Sequence, residues 1–227
     1  MAKQILAFCA VIMAFAAMPT LASATNSPEL TENGTQVKVG EKILATSVEK
    51  MIMTNPSSGA TFIECDTVLM TGLVTKNDGS NVELTIEMEE THNTGSGGCS
   101  GALGTIVFTP STTSNPSTNG LPWCIRSTST MITDEFQMRG NACNGLARPI
   151  RRILHTGFGE CVYQRTAAVL GTFVTGIGKT TLSISTANAG SEFAKLSGNF
   201  QCPEKARFGM TFTLESDAFP FARLDII

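Results

Sequence analysis

Apolar and polar residues alternate without a break from Val82 to Glu89, with Val82, Leu84, Ile86 and Met88 set against Glu83, Thr85, Glu87 and Glu89. Successive side chains of a strand point to opposite faces, so this stretch predicts a strand with one buried and one wet face. Phe208 to Glu215 repeats the pattern, with Phe208, Met210, Phe212 and Leu214 inward. Thr67 to Thr75 reads as a strand joined to the Val82 strand by Lys76-Asn77-Asp78-Gly79-Ser80, where Asp-Gly supplies the positive φ angles a hairpin needs. Weaker alternation predicts further strands near Gln36 to Val39, Lys42 to Thr46, Met51 to Thr54, Gly104 to Thr109, Trp123 to Thr133 and Glu135 to Arg139. The same reading extends to Ile150 to His155, Cys161 to Arg165, Val169 to Thr175 and Thr181 to Thr186. Beyond the first residues no helical period is sustained, and Gly, Asn and Pro separate the runs. The fold class is therefore all-β: an antiparallel β-sandwich or barrel-like double sheet, stapled by disulfides.

Pro110 to Gly120, PSTTSNPSTNG, is too polar to bury surface and reads as a loop. A single β domain over 25–227 is the expectation, with two small domains, 25–109 and 121–227, as the alternative. No fixed-period repeat is present.

The N-terminus changes the setting. Lys3 precedes an apolar run from Ile5 to Met18, which stops at Pro19 and reaches Ala22-Ser23-Ala24. That order predicts a signal peptide over residues 1–24, cleaved after Ala24. The run is too short to span a bilayer, and no later stretch approaches the roughly 20 apolar residues that a membrane helix needs. The expected locale is thus extracellular or the cell envelope, with no transmembrane segment after cleavage. Sixteen basic and 19 acidic residues leave a net charge of −3, without a long run of either sign, so a nucleic-acid partner is not expected.

Six cysteines follow the signal: Cys65, Cys99, Cys124, Cys143, Cys161 and Cys202. An even number in an exported chain reads as a disulfide framework. Neighbour pairing is the expectation, Cys65 with Cys99, Cys124 with Cys143 and Cys161 with Cys202, each closing a loop worth about 3–4 kcal/mol in the chain-entropy picture. None forms Cys-x-x-Cys, and His92 and His155 lie far apart, so neither zinc nor a thioredoxin-like pair is expected.

Candidate chemistry is thin. Gly176-Ile177-Gly178-Lys179-Thr180 ends like a phosphate loop, but Phe173 stands where the first glycine belongs and no helix pattern follows, so it reads as a hairpin turn. No serine sits in Gly-x-Ser-x-Gly. His92 and His155 are the available bases for a triad, and both read as surface residues. Glu87 and Glu89 share a predicted face at roughly 7 Å, within the separation glycoside hydrolysis uses, although a solvated face is the ordinary reading. Asp134 and Glu135 point to opposite faces. Asn77 to Asn81 is oxygen-rich without the spacing of a complete EF-hand loop. Trp123, in Leu121-Pro122-Trp123-Cys124, reads as a core residue beside a disulfide, and one Trp with one Tyr argues against a sugar-stacking module. Arg148-Pro149-Ile150-Arg151-Arg152 is the densest positive cluster, a candidate contact for anionic lipid or polysaccharide that reads first as solvated surface. Asn33-Gly34-Thr35 matches the glycosylation sequon. No catalytic, cofactor or metal residue is assigned.

Cys65, Thr71-Gly72 before Val74, Cys99, Leu121-Pro122-Trp123-Cys124, Arg139-Gly140 before Cys143, Cys161-Val162-Tyr163, Cys202-Pro203 and Thr211-Phe212-Thr213-Leu214 resemble, in that order, a group of six-cysteine secreted bacterial β-proteins of unknown role. A fainter similarity, in Thr-Gly-x-Val and Leu-Pro-Trp, is to small secreted proteins described as activators of alkane oxidation. The main resemblance implies an exported bacterial β-protein, and neither group supplies catalytic residues. The expected function is therefore non-enzymatic binding or a structural role toward an envelope or extracellular partner. A secreted hydrolase whose site forms only in three dimensions and a self-associating surface subunit are the alternatives.

Overall fold

The computed structural model describes residues 28–92, 99–102, 107–108, 121–128, 135–146, 148–176, 179–216 and 223–226. The expected signal peptide and the polar stretch 110–120 lie outside them. Seventeen strands occur among the described residues. The first seven are β1 (Leu30–Glu32), β2 (Thr35–Gln36), β3 (Lys42–Ser47), β4 (Met51–Thr54), β5 (Thr61–Cys65), β6 (Thr67–Asn77) and β7 (Asn81–His92). The next five are β8 (Val107–Phe108), β9 (Trp123–Thr128), β10 (Glu135–Gly140), β11 (Ile150–Thr156) and β12 (Gly159–Arg165). The last five are β13 (Val169–Gly176), β14 (Lys179–Ile184), β15 (Glu192–Ser197), β16 (Lys205–Ser216) and β17 (Arg223–Ile226).

Eight strands close an antiparallel barrel in the order β3-β6-β7-β9-β10-β13-β14-β16, with β16 pairing back onto β3. Closure satisfies backbone groups that an open sheet would leave at its edges. Strands from both sides of the 110–120 stretch build the barrel, since β7 pairs with β9 and β3 with β16. A second antiparallel sheet runs β8-β11-β12-β15-β16-β4-β5. The two share β16: its residues 205–209 pair with β15 and β4, and 210–216 with β14 and β3. Its alternation is the one read from Phe208, Met210, Phe212 and Leu214, all buried. Outside the barrel, β17, β1 and β2 form a strap on the C-terminal end of β16.

Buried aromatic residues fill both layers. Phe136 lies 5.4 Å from Phe173 and 6.4 Å from Phe212 by ring centroid, and Phe193 and Phe208 meet edge to face at 6.5 Å. Three disulfides pair sequential cysteines: Cys65–Cys99, Cys124–Cys143 and Cys161–Cys202, with separations of 34, 19 and 41 residues.

Several expectations need correction. Of the strand expected over Gln36–Val39, only Gln36 belongs to β2; the buried Val37 still donates its N–H to the Leu30 carbonyl, in register with that pairing. Four strands, β1, β5, β15 and β17, escaped the pattern. In β5 the adjacent Phe62 and Ile63 are both buried, and in β15 Phe193 is the one buried side chain, so neither alternates cleanly. Of the strand expected over Gly104–Thr109, Val107–Phe108 is observed and the rest lies outside the described residues, as do residues 129–133 of the strand expected from Trp123.

The alternation in β7 misled most. The β6–β7 register shifts between Thr71 and Gly72, which face Met88 and Ile86, so Glu87 is an inserted bulge residue. Gly72 permits the close approach there: a Cβ on it would stand 2.2 Å from the Thr85 carbonyl oxygen. One inserted residue reverses the facing of all that follow. Glu87 therefore stays outside, lining a shallow depression of about 210 Å³ with Lys42, Leu44 and Thr71, while Glu89 turns into the core. Thr85, also expected on the wet face, is covered as well, at 6% exposure.

Candidate functional site

Glu89 enters the core because it has a partner. Arg152 of β11 extends its guanidinium between Trp123 and Phe208, 4.5 Å from each ring centroid, and its Nη1 donates to both Glu89 carboxylate oxygens. Arg152 is 2% and Glu89 6% exposed. A charge removed from water needs this kind of compensation: an opposite charge, hydrogen bonds and, for a guanidinium, aromatic faces. Four strands contribute, β7 and β9 from the barrel, β11 from the second sheet, and β16 from both. The site sits where the layers meet, with Tyr163 paired beside Arg152 on the same face of the second sheet. The Tyr163 hydroxyl has no hydrogen-bond partner among the described residues, and burial pushes its phenol pKa far above the ordinary value. Completely enclosed, this cluster is a structural joint between the layers.

The surface feature lies at the far end of β11 and β12. Thr156 and Gly159 close that hairpin around Gly157 and Phe158, with Thr156 Oγ1 accepting from the Phe158 N–H at 3.1 Å and donating to the Gly159 carbonyl at 2.8 Å. Beside it runs the connection from β15 to β16. Asn199 Nδ2 donates to the Phe158 carbonyl at 2.6 Å, and Asn199 Oδ1 accepts from the Gln201 N–H at 2.9 Å. Cys161–Cys202 locks the two turns covalently. Gly198, at φ +135°, lets them approach, since a Cβ there would lie 2.6 Å from Cys202 Sγ and 3.0 Å from the Glu160 carbonyl. The result is two fixed turns whose apolar residues face water: Phe158 is 57% and Phe200 94% exposed, and Leu196, the residue at the β12–β15 register shift, is 54% exposed. Exposed apolar residues scattered singly are ordinary, but two on adjoining turns with a third near the end of β15 form a patch.

The ionisable side chains below this end contact one another in pairs. His155 Nδ1 lies 3.7 Å from Glu160 across the hairpin, both about half exposed, and Lys195 bonds Glu204 while donating to the Cys202 carbonyl at 3.3 Å. Farther along, the Lys205 ammonium and then Arg207 hold the Glu192 carboxyl below its usual range.

The remaining sequence candidates separate. Glu87 and Glu89 do not share a face, which removes the carboxylate pair proposed for glycoside chemistry. Asp78 Oδ1 accepts from the Ser80 and Asn81 N–H groups to build the turn, and Asn77 is turned inward, so these oxygens serve the hairpin rather than a calcium ion. The positive cluster is dispersed: Arg148 is exposed, Arg151 Nε donates to Gln164 at 2.9 Å, and Arg152 is in the core. Trp123 is buried, as its place beside Cys124 implied. Gly176 and Lys179 pair across a hairpin whose residues 177–178 lie outside the described set. His92 ends β7 with its side chain outside that set, as Asp134 is entirely. Asn33 and Gly34 form the β1–β2 turn at φ +50° and +77°. Among the described residues no three His, Cys, Asp or Glu side chains gather as metal ligands, and no helix is long and apolar enough to cross a membrane.

Neither Phe158 nor Phe200 stood out in the sequence, because neither belongs to a periodic pattern. Their signal is local: each aromatic sits among turn formers, in Thr-Gly-Phe-Gly and Ser-Gly-Asn-Phe. No family model, curated protein or solved structure matches the chain.

Proposed function

We propose that the chain is exported to the extracellular space or cell envelope and works there by binding, through the end built from Phe158, Leu196 and Phe200. The three disulfides indicate an oxidising, non-cytoplasmic compartment, where such bonds persist. The signal-like N-terminus and the resemblance to six-cysteine secreted bacterial β-proteins support export in particular. The observation that carries the binding half is the 94% exposure of Phe200 beside a 57% exposed Phe158, on turns fixed by a disulfide and the Asn199 hydrogen bonds. A fold that buries Phe62, Phe136, Phe173, Phe193, Phe208 and Phe212 gains nothing for stability by holding two other phenylalanines in water. Rigid presentation lowers the entropy lost on binding, which is the use such a platform has. The test is fractionation of cells producing the chain with Phe158→Ser and Phe200→Ser together. Loss of the envelope-bound fraction with unchanged far-ultraviolet circular dichroism is the expected result, and a distribution equal to the parent chain's removes the reading.

A further inference from the structure

The patch has properties that narrow its occupant, on the reading that this end is the binding surface. Both turns are uncharged: Thr156-Gly157-Phe158-Gly159 and Leu196-Ser197-Gly198-Asn199-Phe200-Gln201 contain no ionisable side chain. The ionisable groups that flank them in sequence, His155 with Glu160 and Lys195 with Glu204, contact each other in pairs. Electrostatic complementarity, which steers and orients protein partners, is therefore absent at the tip. Area points the same way. Two phenyl rings offer roughly 300–500 Å², whereas a stable protein interface takes about 800 Å² from each partner. Two neighbouring tips with little flanking surface suit a deformable apolar medium, which closes around each ring without needing a complementary groove. Rings at a membrane interface gain from apolar burial alone.

We propose that Phe158, Leu196 and Phe200 insert into the interfacial region of a lipid bilayer, docking the protein peripherally by apolar contact without selecting lipid charge. The covalently joined turns act as one wedge, so both rings enter together.

Vesicle co-sedimentation tests this with the disulfide-intact mature chain. The probes are vesicles of phosphatidylcholine alone and of phosphatidylcholine with one third phosphatidylglycerol. Equal binding to both, unchanged by high salt, is expected, with partitioning weakened roughly tenfold or more for each of Phe158→Ser and Phe200→Ser. Val39→Ser, at another exposed apolar residue, should leave it unchanged. Phe200→Trp adds a direct readout, a blue shift of the new fluorescence on phosphatidylcholine vesicles. Absence of binding, or binding restricted to the anionic vesicles and abolished by salt, overturns the proposal. If vesicles are not bound while the double serine variant still leaves the envelope fraction, lipid is the wrong occupant and the docking reading stands; if neither changes, both fall.

Discussion

Removing either member of the buried Arg152–Glu89 pair should destabilise the protein far more than removing both. The pair is almost wholly enclosed, at 2% and 6% exposure, with the guanidinium 4.5 Å from the Trp123 and Phe208 ring centroids. Glu89→Met leaves a guanidinium whose remaining compensation includes the two rings. Arg152→Met leaves a buried carboxylate without its counter-charge. Breaking a buried pair from one side costs about 3–5 kcal/mol, and both single variants should fall in that range. The double variant places two adaptable thioethers in the same space, and methionine packs well against aromatic rings. It should unfold within about 1–2 kcal/mol of the parent, because replacing a whole buried pair by apolar residues is often neutral. The double-mutant cycle then gives a coupling energy larger than either single loss, because the two single losses sum to about 6–10 kcal/mol while the double variant loses about 1–2. Urea unfolding followed by circular dichroism, with the disulfides intact, measures all four proteins. Two single losses below about 1 kcal/mol, or a double loss equal to their sum, would refute a dry, mutually dependent pair.

Other outcomes follow from the same packing. Tyr163 is the only tyrosine, and burial, then the charge of Glu204, raises its phenol pKa. A raised folded value means the neutral form stabilises the fold below the unfolded pKa of about 10, and this contribution is lost as pH rises beyond it. Tyrosinate absorbance should accordingly appear only with unfolding at strongly alkaline pH; a reversible titration near pH 10 with the fold retained would contradict the burial. Asn77 accepts from the Leu30 N–H at 2.9 Å and donates to the Leu30 and Val37 carbonyls at 2.8 Å each. Asn77→Ala should cost about 2–3 kcal/mol and raise hydrogen exchange in β1 first, whereas uniform loss of protection would show that the strap is not a separable unit. Gly198→Ala, strained at φ +135° and crowded against Cys202, should lower stability by about 1–3 kcal/mol and weaken binding through the Phe158 end, and a neutral effect on both would mean the turns need not approach so closely.

The strands were legible wherever one residue in two meets the core. β16 and β4 follow their sequence pattern, because a strand with one covered face prints period two into its side chains. β5 was hidden because both neighbours in Phe62-Ile63 are covered. The β7 bulge is the instructive failure. Nothing in Glu87-Met88-Glu89 says that a residue is inserted, since the reversal is a property of the pairing with β6 and not of either strand. The same blindness hid the Arg152–Glu89 pair, whose members stand 63 residues apart in a polar stripe and a basic cluster that each looked solvated. The aromatic end required knowing that two turns 41 residues apart are neighbours. Cys161 and Cys202 carried that information in principle, because a disulfide between them brings both turns together.

The most direct test of the binding account is site-specific photocrosslinking in intact producing cells, with a photoreactive phenylalanine analogue at position 200 and, separately, at position 39. Phe200 and Val39 are both exposed, at 94% and 62%, so accessibility alone predicts labelling at both. Labelling of envelope material at 200, whether lipid or protein, with none at 39 is the predicted result. Equal labelling at the two positions, or none at either, would contradict the claim that the stapled turns are the surface through which this protein acts.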